Sequence, residues 1–264
     1  MITLCDGIEI GYDDVGAGDP VVFLHGFPHH RGLWAPQLAA LLGHARCIAP
    51  DLRGFGETTA AEPYSMDRYA DDLACLLDAL RIEKVVVCGL SMGGYVALAF
   101  WRRHRGRVRA LILADTKAGA DSEEGRRKRE EMIALARDRG SAAVADSMIN
   151  GMVGKSTREK VPEIADSVHR MLESAPVDGV VGALRAMMSR PDSTPTLDTI
   201  DVPTLILVGE EDVLTPPKEA ELLHRGIRGS RLEVISGAGH VSNLERPAAV
   251  NHVIGEFLAS VVLQ

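Results

Sequence analysis

The stretch VVVCGLSMGGYVALAF, residues 85–100, decides the fold. A β-branched run stops at Gly89, one serine stands between glycines, and an apolar run with helical spacing follows. Glycines at this density indicate that two backbone segments pass close together around a sharp turn from a strand to a helix. Such a turn raises a hydroxyl above the carboxyl end of the strand, so Ser91 is the first candidate catalytic residue.

Outward from this turn, short β-rich runs alternate with longer helical patterns. Seven runs are predicted strands, namely residues 8–15, 21–26, 45–50, 84–89, 109–115, 203–209 and 231–236. Several of them are continuously apolar, which is typical of strands covered on both faces. Helical patterns occupy residues 33–42, 66–80, 91–104, 217–226 and 247–261. The alternation predicts an α/β protein with a mostly parallel, doubly wound sheet.

One long segment interrupts the alternation, because residues 117–195 contain helical patterns and no predicted strand. We expect this segment to form a helical cap over one edge of the sheet, while residues 1–116 and 196–264 form the core domain. Six of the nine methionines and no Phe, Tyr or Trp fall in the cap. Because Met fills irregular gaps, an aliphatic and adaptable underside is expected. Packing between the cap helices is the simpler explanation for any single methionine.

Length, net charge and cysteine content exclude several classes of protein and of binding partner. The 264 residues, 46% of them hydrophobic, fit one large α/β domain with an insertion. A formal net charge of −8 argues against a nucleic-acid surface, and no apolar run approaches the ~18 residues of a membrane span. The start shows no signal-peptide pattern, and the four cysteines form no CxxC pair. We therefore expect a cytoplasmic protein with a small-molecule substrate, and the sequence leaves its oligomeric state open.

Four further motifs accompany the serine turn: HGFPHHRGLW (25–34), DLRGFGET (51–58), GEEDVLTPP (209–217) and GAGH (237–240). Together with GLSMG (89–93), they make the chain similar to the α/β-hydrolases that carry a helical cap, over nearly its whole length. The resemblance implies the α/β-hydrolase fold, with the cap inserted after the sixth strand.

The resemblance also implies a catalytic triad in the order serine, acid, histidine. Asp212 follows the predicted strand at 203–209, and His240 follows the predicted strand at 231–236 in a loop flanked by glycine. We expect His240 to take the proton of Ser91 and to return it to the leaving alkoxide, while Asp212 fixes the imidazole tautomer.

Other residues compete for two of these roles. Asp115 also ends a predicted strand and is the alternative acid. His25, His29 and His30 are the other histidines expected near the site, and His25 is interpreted as structural.

An oxyanion hole is implied as well, formed by the backbone N–H groups of Phe27 and Met92. Since only their main chain acts there, both side chains are expected to line the acyl pocket. Pro28 restricts Phe27 to extended backbone and either helps to aim its N–H group or simply forms a turn. We interpret another set of residues as a hydrogen-bonded turn supporting the oxyanion loop: Asp51, Arg53, Gly54 and Gly56.

The identity of the nucleophile separates related enzymes. Epoxide hydrolases and dehalogenases share the fold but attack with aspartate, so serine at position 91 favours acyl transfer. No HxHxDH metal motif occurs, and we expect neither a metal nor another cofactor. By overall pattern the chain resembles 3-oxoadipate enol-lactonases and small serine esterases and lactonases. This implies hydrolysis of short to medium acyl esters or lactones, including enol-lactones and acyl-homoserine lactones, through a seryl-acyl intermediate.

The sequence is also compatible with two alternative functions. A small-molecule receptor of the same fold with slow hydrolysis is one alternative, and perhydrolase-type acyl transfer is the other.

An enol-lactone bearing a carboxylate requires a cationic partner inside the site. The cap's four consecutive basic residues, 126–129, cannot all point inward from one helix.

Overall fold

The computed structural model describes residues 1–262 of the chain. Within them, eight strands form one sheet in the spatial order β1-β2-β4-β3-β5-β6-β7-β8. The strands are β1 (Ile2–Cys5), β2 (Ile8–Val15), β3 (Pro20–Leu24), β4 (Arg46–Pro50), β5 (Val85–Leu90), β6 (Val108–Ala114), β7 (Thr204–Gly209) and β8 (Arg231–Ile235). Strand β2 pairs antiparallel with β1 and β4, and every other pairing in the sheet is parallel. The predicted mostly parallel sheet is confirmed.

The helices connect these strands and cover both faces of the sheet. They are α1 (Ala35–Leu41), α2 (Met66–Ala79), α3 (Met92–His104), α4 (Glu123–Met152), α5 (Lys155–Lys160), α6 (Pro162–Glu173), α7 (Val177–Ser189), α8 (Pro217–Gly226), α9 (Ser242–Glu245) and α10 (Pro247–Val262). Short 3₁₀ turns lie at Arg31–Trp34, Arg105–Arg107 and Thr194–Thr199.

Strand β5 shows why the central strands are continuously apolar. Val85 and Val87 belong to the apolar core shared with α2 and α3, whereas Val86 and Cys88 belong to the core shared with α1 and α10. Successive side chains of a strand point to opposite faces, so a strand with a helical layer on each side buries every residue. This geometry places the end of β5, and therefore Ser91, in the middle of the sheet.

Strand β1 is an edge strand that the sequence pattern did not predict. Its four residues pair only with β2, and of the hydrophobic ones only Cys5 is buried, while Ile2 and Leu4 are 55% and 71% exposed. A short edge strand with exposed aliphatic residues has neither the continuous apolar run nor the alternation that predicts a strand.

The segment between β6 and β7 contains helices α4 to α7 and, throughout its described residues, no strand. Helix α4 packs against α6 and α7 and is interrupted at Gly140, whose φ of 76° and ψ of −178° are not helical. The cap thus follows the sixth strand, as the fold prediction states. No helix in residues 1–262 is both long enough and apolar enough to cross a bilayer.

Candidate active site

The turn between β5 and α3 holds Ser91 in a backbone conformation that L-residues rarely adopt, with φ 55° and ψ −113°. The flanking glycines are required for this approach. A Cβ atom at Gly89 would overlap the carbonyl of Gly93, and one at Gly93 would overlap the carbonyl of Leu24. The glycine density of the motif therefore follows from backbone contacts around the serine.

Hydrogen bonds to neighbouring backbone fix this turn. The Ser91 N–H donates to the carbonyl of Ala114 at the end of β6 (3.0 Å), and the Thr116 hydroxyl donates to the carbonyl of Ser91 (2.8 Å). Both main-chain polar groups of Ser91 are thus hydrogen-bonded to other parts of the backbone or to Thr116. These bonds hold the residue in place without using its hydroxyl. Thr116 was not predicted from the sequence.

The structure brings the three predicted triad residues together. His240 Nε2 lies 2.9 Å from Ser91 Oγ, and His240 Nδ1 lies 2.8 Å from Asp212 Oδ2. His240 and Asp212 are almost completely buried. With Nδ1–H donating to the carboxylate, Nε2 is left to accept the serine proton, which is the arrangement that general-base activation of a hydroxyl needs.

Asp212 is held by the residues that follow it. Its Oδ1 accepts hydrogen bonds from the N–H groups of Leu214 (2.8 Å) and Thr215 (2.9 Å), and its Oδ2 accepts one from the Thr215 hydroxyl (2.7 Å). Thr215 is within the motif GEEDVLTPP, but its role was not predicted. These bonds orient the carboxylate toward the imidazole.

The alternative acid, Asp115, is also buried but has other partners. Its Oδ1 accepts a hydrogen bond from the Gly209 N–H (2.8 Å), and its Oδ2 accepts one from the Ser242 hydroxyl (2.6 Å). No hydrogen bond joins Asp115 to His240 among the described residues. Burial, and then the negative charge of Asp212, raise the pKa of Asp115 to about 8.

Burial and charge act in opposite directions on the His240–Asp212 pair. Burial alone lowers the pKa of His240, but the charge and hydrogen bond of Asp212 outweigh it, so the pKa lies above its ordinary value of 6.5. Burial alone raises the pKa of Asp212, but the charge and hydrogen bond of His240 and the donors of Thr215 bring it below its ordinary value. Both directions favour an ionised pair.

The two backbone N–H groups predicted to form the oxyanion hole, those of Phe27 and Met92, have no hydrogen-bond acceptor within residues 1–262. Met92 is the first residue of α3, where N–H groups are free and the helix dipole favours negative charge. The peptide bond between Phe27 and Pro28 is cis.

The side chains of these two residues lie in different places. Phe27 lines a cavity that also contains Ser91 and His240. The Met92 side chain is fully buried in the apolar core and does not line that cavity. This disagrees with the prediction that Met92 contacts substrate through its side chain, because that side chain packs in the core shared with α2 and α3.

The turn at residues 51–58 packs against the segment that follows Phe27, in agreement with the expectation from the sequence. Asp51 accepts hydrogen bonds from the N–H groups of Arg31 (2.7 Å) and Glu57 (2.9 Å), and a Cβ at Gly56 would overlap its carboxylate. Arg53 makes a buried two-point contact with Asp72, at 2.6 and 2.8 Å.

His25 is hydrogen-bonded to the same turn. Its Nδ1 donates to the carbonyl of Gly26 (2.8 Å), and its Nε2 accepts from the N–H of Leu52 (2.9 Å), so the imidazole is neutral. Burial lowers its pKa to about 4. The geometry agrees with a structural interpretation of His25.

A profile of the alpha/beta hydrolase family matches residues 21–253 of the chain. The chain belongs to the α/β-hydrolase family. It is 30% identical to 3-oxoadipate enol-lactonase 1 of Acinetobacter baylyi over 241 residues, which cover 91% of this chain and 89% of that protein.

Solved structures of other α/β-hydrolases superimpose closely. A malate-bound thermophilic esterase from Thermogutta terrifontis has 42% identity and a TM-score of 0.94, covering 98% of this chain and 97% of the other. The enol-lactonase from Burkholderia xenovorans LB400 has 29% identity and a TM-score of 0.91, with 98% and 100% covered. The predicted α/β-hydrolase fold, the similarity to enol-lactonases and esterases, and the prediction of an ester-hydrolysing enzyme are confirmed.

The cavity of this α/β-hydrolase has a volume of about 340 Å³ and lies between the cap and the carboxyl ends of the strands. Ser91, Thr215 and His240 form its floor. Its apolar wall consists of Phe27, Leu214 and four of the six cap methionines, namely Met132, Met148, Met152 and Met187. Its polar wall contains Tyr95, Lys117, Asp121, Lys128, Arg129 and Ser147. The sequence indicated the methionine wall but not Tyr95 or Lys117.

The cap is tied to the loop that carries the triad histidine. The N–H groups of His240 (3.1 Å) and Val241 (3.2 Å) both donate to the carbonyl of Met152, the last residue of α4. The Glu245 carboxylate accepts from the N–H groups of Gly154 (2.9 Å) and Gly239 (2.8 Å), and so joins the two segments a second time.

His29 and His30, the other two histidines expected near the site, differ in their hydrogen bonds. His29 is buried, and neither ring nitrogen has a hydrogen-bond partner among the described residues. Burial, and then the charges of His25 and His240, lower its pKa to about 3, so it is neutral. His30 accepts a hydrogen bond from the Gly32 N–H (3.1 Å). Residues 1–262 contain no group of three or more His, Cys, Asp or Glu that could hold a metal ion.

Proposed function

We propose that this α/β-hydrolase cleaves carboxylic esters or lactones through a seryl-acyl intermediate. One observation carries the proposal: the chain of hydrogen bonds from Ser91 Oγ to His240 Nε2, and from His240 Nδ1 to Asp212 Oδ2, at 2.9 and 2.8 Å. Esterase and enol-lactonase relatives support the type of bond that is cleaved.

In the first half of the reaction, Ser91 Oγ attacks the carbonyl carbon while His240 Nε2 takes its proton. The tetrahedral intermediate collapses as the bond to the leaving oxygen breaks, and His240 donates the proton to that oxygen. In a lactone the leaving oxygen stays attached to the acyl chain. Water, activated by His240, then attacks the acyl group and releases Ser91. The Asp212 carboxylate stabilises the imidazolium throughout.

The oxyanion formed in each half is assigned to the N–H groups of Phe27 and Met92. Their lack of intramolecular acceptors and the start of α3 beside Met92 support this assignment. A donor of this kind is worth about 2.7–4 kcal/mol of transition-state stabilisation in other hydrolases.

The cavity supports small substrates. A volume of about 340 Å³ is at the lower end of ligand pockets, and its methionine wall offers flexible apolar contact. We propose that residues 117–195 act as a cap domain on a core of residues 1–116 and 196–264, and that acyl groups of short to medium length or lactones, among them enol-lactones and acyl-homoserine lactones, occupy the space between them.

Active-site labelling tests the proposal. A fluorophosphonate probe should modify the wild-type protein once, on the peptide containing Ser91, and multiple turnovers of p-nitrophenyl butyrate and γ-hexalactone should be lost on labelling. Ser91→Ala should show neither labelling nor turnover, whereas Ser174→Ala, a serine exposed at the end of α6, should retain both. Unchanged turnover in Ser91→Ala would exclude the mechanism, and acylation that stops after one turnover would favour a receptor with slow hydrolysis.

A further inference from the structure

Lys117 stands at a fixed point on the wall of the catalytic cavity. It follows Asp115 and Thr116, whose backbone and side chain are anchored to β7 and to the carbonyl of Ser91. Its side chain is partly buried and lines the same cavity as Ser91 and His240. The backbone just before Lys117 is therefore hydrogen-bonded both to β7 and to the turn that carries Ser91.

The acidic residues near Lys117 are engaged elsewhere or too distant. Asp121 forms ion pairs with Arg129 and with Arg190, the latter at 2.8 Å, so one carboxylate already serves two guanidinium groups. Glu219 on α8 also acts on Lys117 through its charge, without direct contact. No carboxylate oxygen lies within 4.0 Å of the Lys117 ammonium among residues 1–262.

Burial and neighbouring charges together make the charged form of Lys117 less favourable. Burial, and then the charges of Arg190 and Arg129, lower the pKa of Lys117, whereas the charges of Asp121 and Glu219 raise it. An ammonium that is half-buried without a counter-ion is unfavourable, and a substrate anion placed beside it would remove that cost.

A second free donor lies on the same wall. Tyr95 lines the cavity, and the guanidinium of Arg190 stacks over its ring at 4.2 Å, which holds the ring in place. The Tyr95 hydroxyl has no hydrogen-bond partner in the described part of the chain. Burial raises the pKa of Tyr95, so the hydroxyl keeps its proton and can donate it.

The basic residues of α4 cannot replace Lys117. Lys128 is 67% exposed and pairs with Glu124, and Arg127 is 69% exposed and lies near Glu131. Arg129 points inward but is neutralised by Asp121. Lys117 is thus the cavity cation without a carboxylate partner within residues 1–262.

We propose that Lys117, with the Tyr95 hydroxyl as second donor, binds a carboxylate on the acyl part of the substrate. The preferred substrate class is then monoesters of dicarboxylic acids and lactones that bear a carboxylate, with the methylene chain lying along the methionine wall. The inference rests on the proposed function, since it assumes that the acyl group is bound at Ser91.

The experiment compares monomethyl adipate with dimethyl adipate, which differ in the free carboxylate. Wild-type kcat/KM should be higher for the monoanion. In Lys117→Met the ratio of the two kcat/KM values should fall about 10- to 100-fold, the effect expected for one hydrogen bond to a charged group, and Lys117→Arg should restore part of it. Lys218→Met, which removes an exposed lysine on α8, should leave the wild-type ratio. Circular dichroism and the melting temperature of each variant establish that it is folded.

A binding measurement separates this inference from the catalytic proposal. Calorimetry of adipate binding to Ser91→Ala, with and without Lys117→Met, needs no turnover, and the second substitution should weaken binding about 10- to 100-fold. A wild-type enzyme that hydrolyses the diester with no preference for the monoester, or a Lys117→Met enzyme with an unchanged ratio, overturns the role of Lys117 alone. Failure to hydrolyse either ester, with adipate binding still dependent on Lys117, overturns the catalytic proposal alone.

Discussion

Asp212 is hydrogen-bonded to His240, whereas Asp115, at the end of the neighbouring strand, is hydrogen-bonded to Ser242 and to the Gly209 N–H. Two buried carboxylates thus lie close to one imidazole, and of the two only Asp212 is hydrogen-bonded to it in the described part of the chain. Asp212 is the ionised partner of the histidine. Burial, and then the negative charge of Asp212, raise the pKa of Asp115 to about 8.

Replacing each carboxylate by its amide tests this assignment. Asp212→Asn should lower kcat by about 10⁴-fold, because an amide favours the wrong imidazole tautomer. Asp115→Asn should change kcat by less than tenfold, since Asp115 makes no hydrogen bond to His240 within the described residues. Steady-state kinetics on p-nitrophenyl butyrate give both values. The opposite ranking would transfer the role of the acid to Asp115.

The pH dependence should follow His240. Its pKa lies above 6.5, and the general base must be neutral, so activity should fall as the pH decreases through that raised pKa. The acid limb of the kcat/KM profile should therefore lie above pH 6.5. In Asp212→Asn the residual activity should show a limb shifted to lower pH, because the charge that raises the pKa is gone. A limb that stays in place would mean that another group controls it.

The backbone of Ser91 should carry a measurable cost in stability. Ser91→Ala and Ser91→Gly both remove the hydroxyl, but only glycine adopts φ 55°, ψ −113° without strain. We expect Ser91→Gly to be more stable than Ser91→Ala by about 1 kcal/mol, after allowance for the greater flexibility of unfolded glycine. Urea denaturation of the two variants measures the difference. Equal stabilities would show that the turn is relaxed.

The glycines of the turn should tolerate no side chain. Gly93→Ala places a methyl group against the carbonyl of Leu24 and should lower the free energy of unfolding by about 2 kcal/mol or more, with loss of activity. Gly106→Ala is the matched control, since a Cβ there meets no atom within 4 Å. That control should change stability by less than about 0.5 kcal/mol. Similar melting curves for the two variants would contradict the close approach seen in the turn.

Much of the fold could be predicted because its signals are local. The continuous apolar runs that form β5 and β7 and the glycines around Ser91 each report a constraint that acts within a few residues. The order of Ser91, Asp212 and His240 came from the resemblance, and the structure brings the three side chains together.

Other features depend on contacts between distant segments, which the sequence pattern does not report. The Thr116 hydroxyl acquires its role only when β6 lies beside the serine turn. Lys117 is left without a carboxylate partner among residues 1–262 only because Arg129 and Arg190 pair with Asp121. The side chain of Met92 was misplaced because the sequence shows which residue follows the nucleophile, but not the direction in which α3 leaves the turn.

The carbonyl of Met152 accepts hydrogen bonds from the N–H groups of His240 and Val241, so the last turn of α4 is joined directly to the loop that carries the imidazole. The interruption at Gly140 separates the first half of α4 from this anchored end. A displacement of the anchored end of α4 would therefore also displace the backbone of His240, and with it the imidazole beside Ser91.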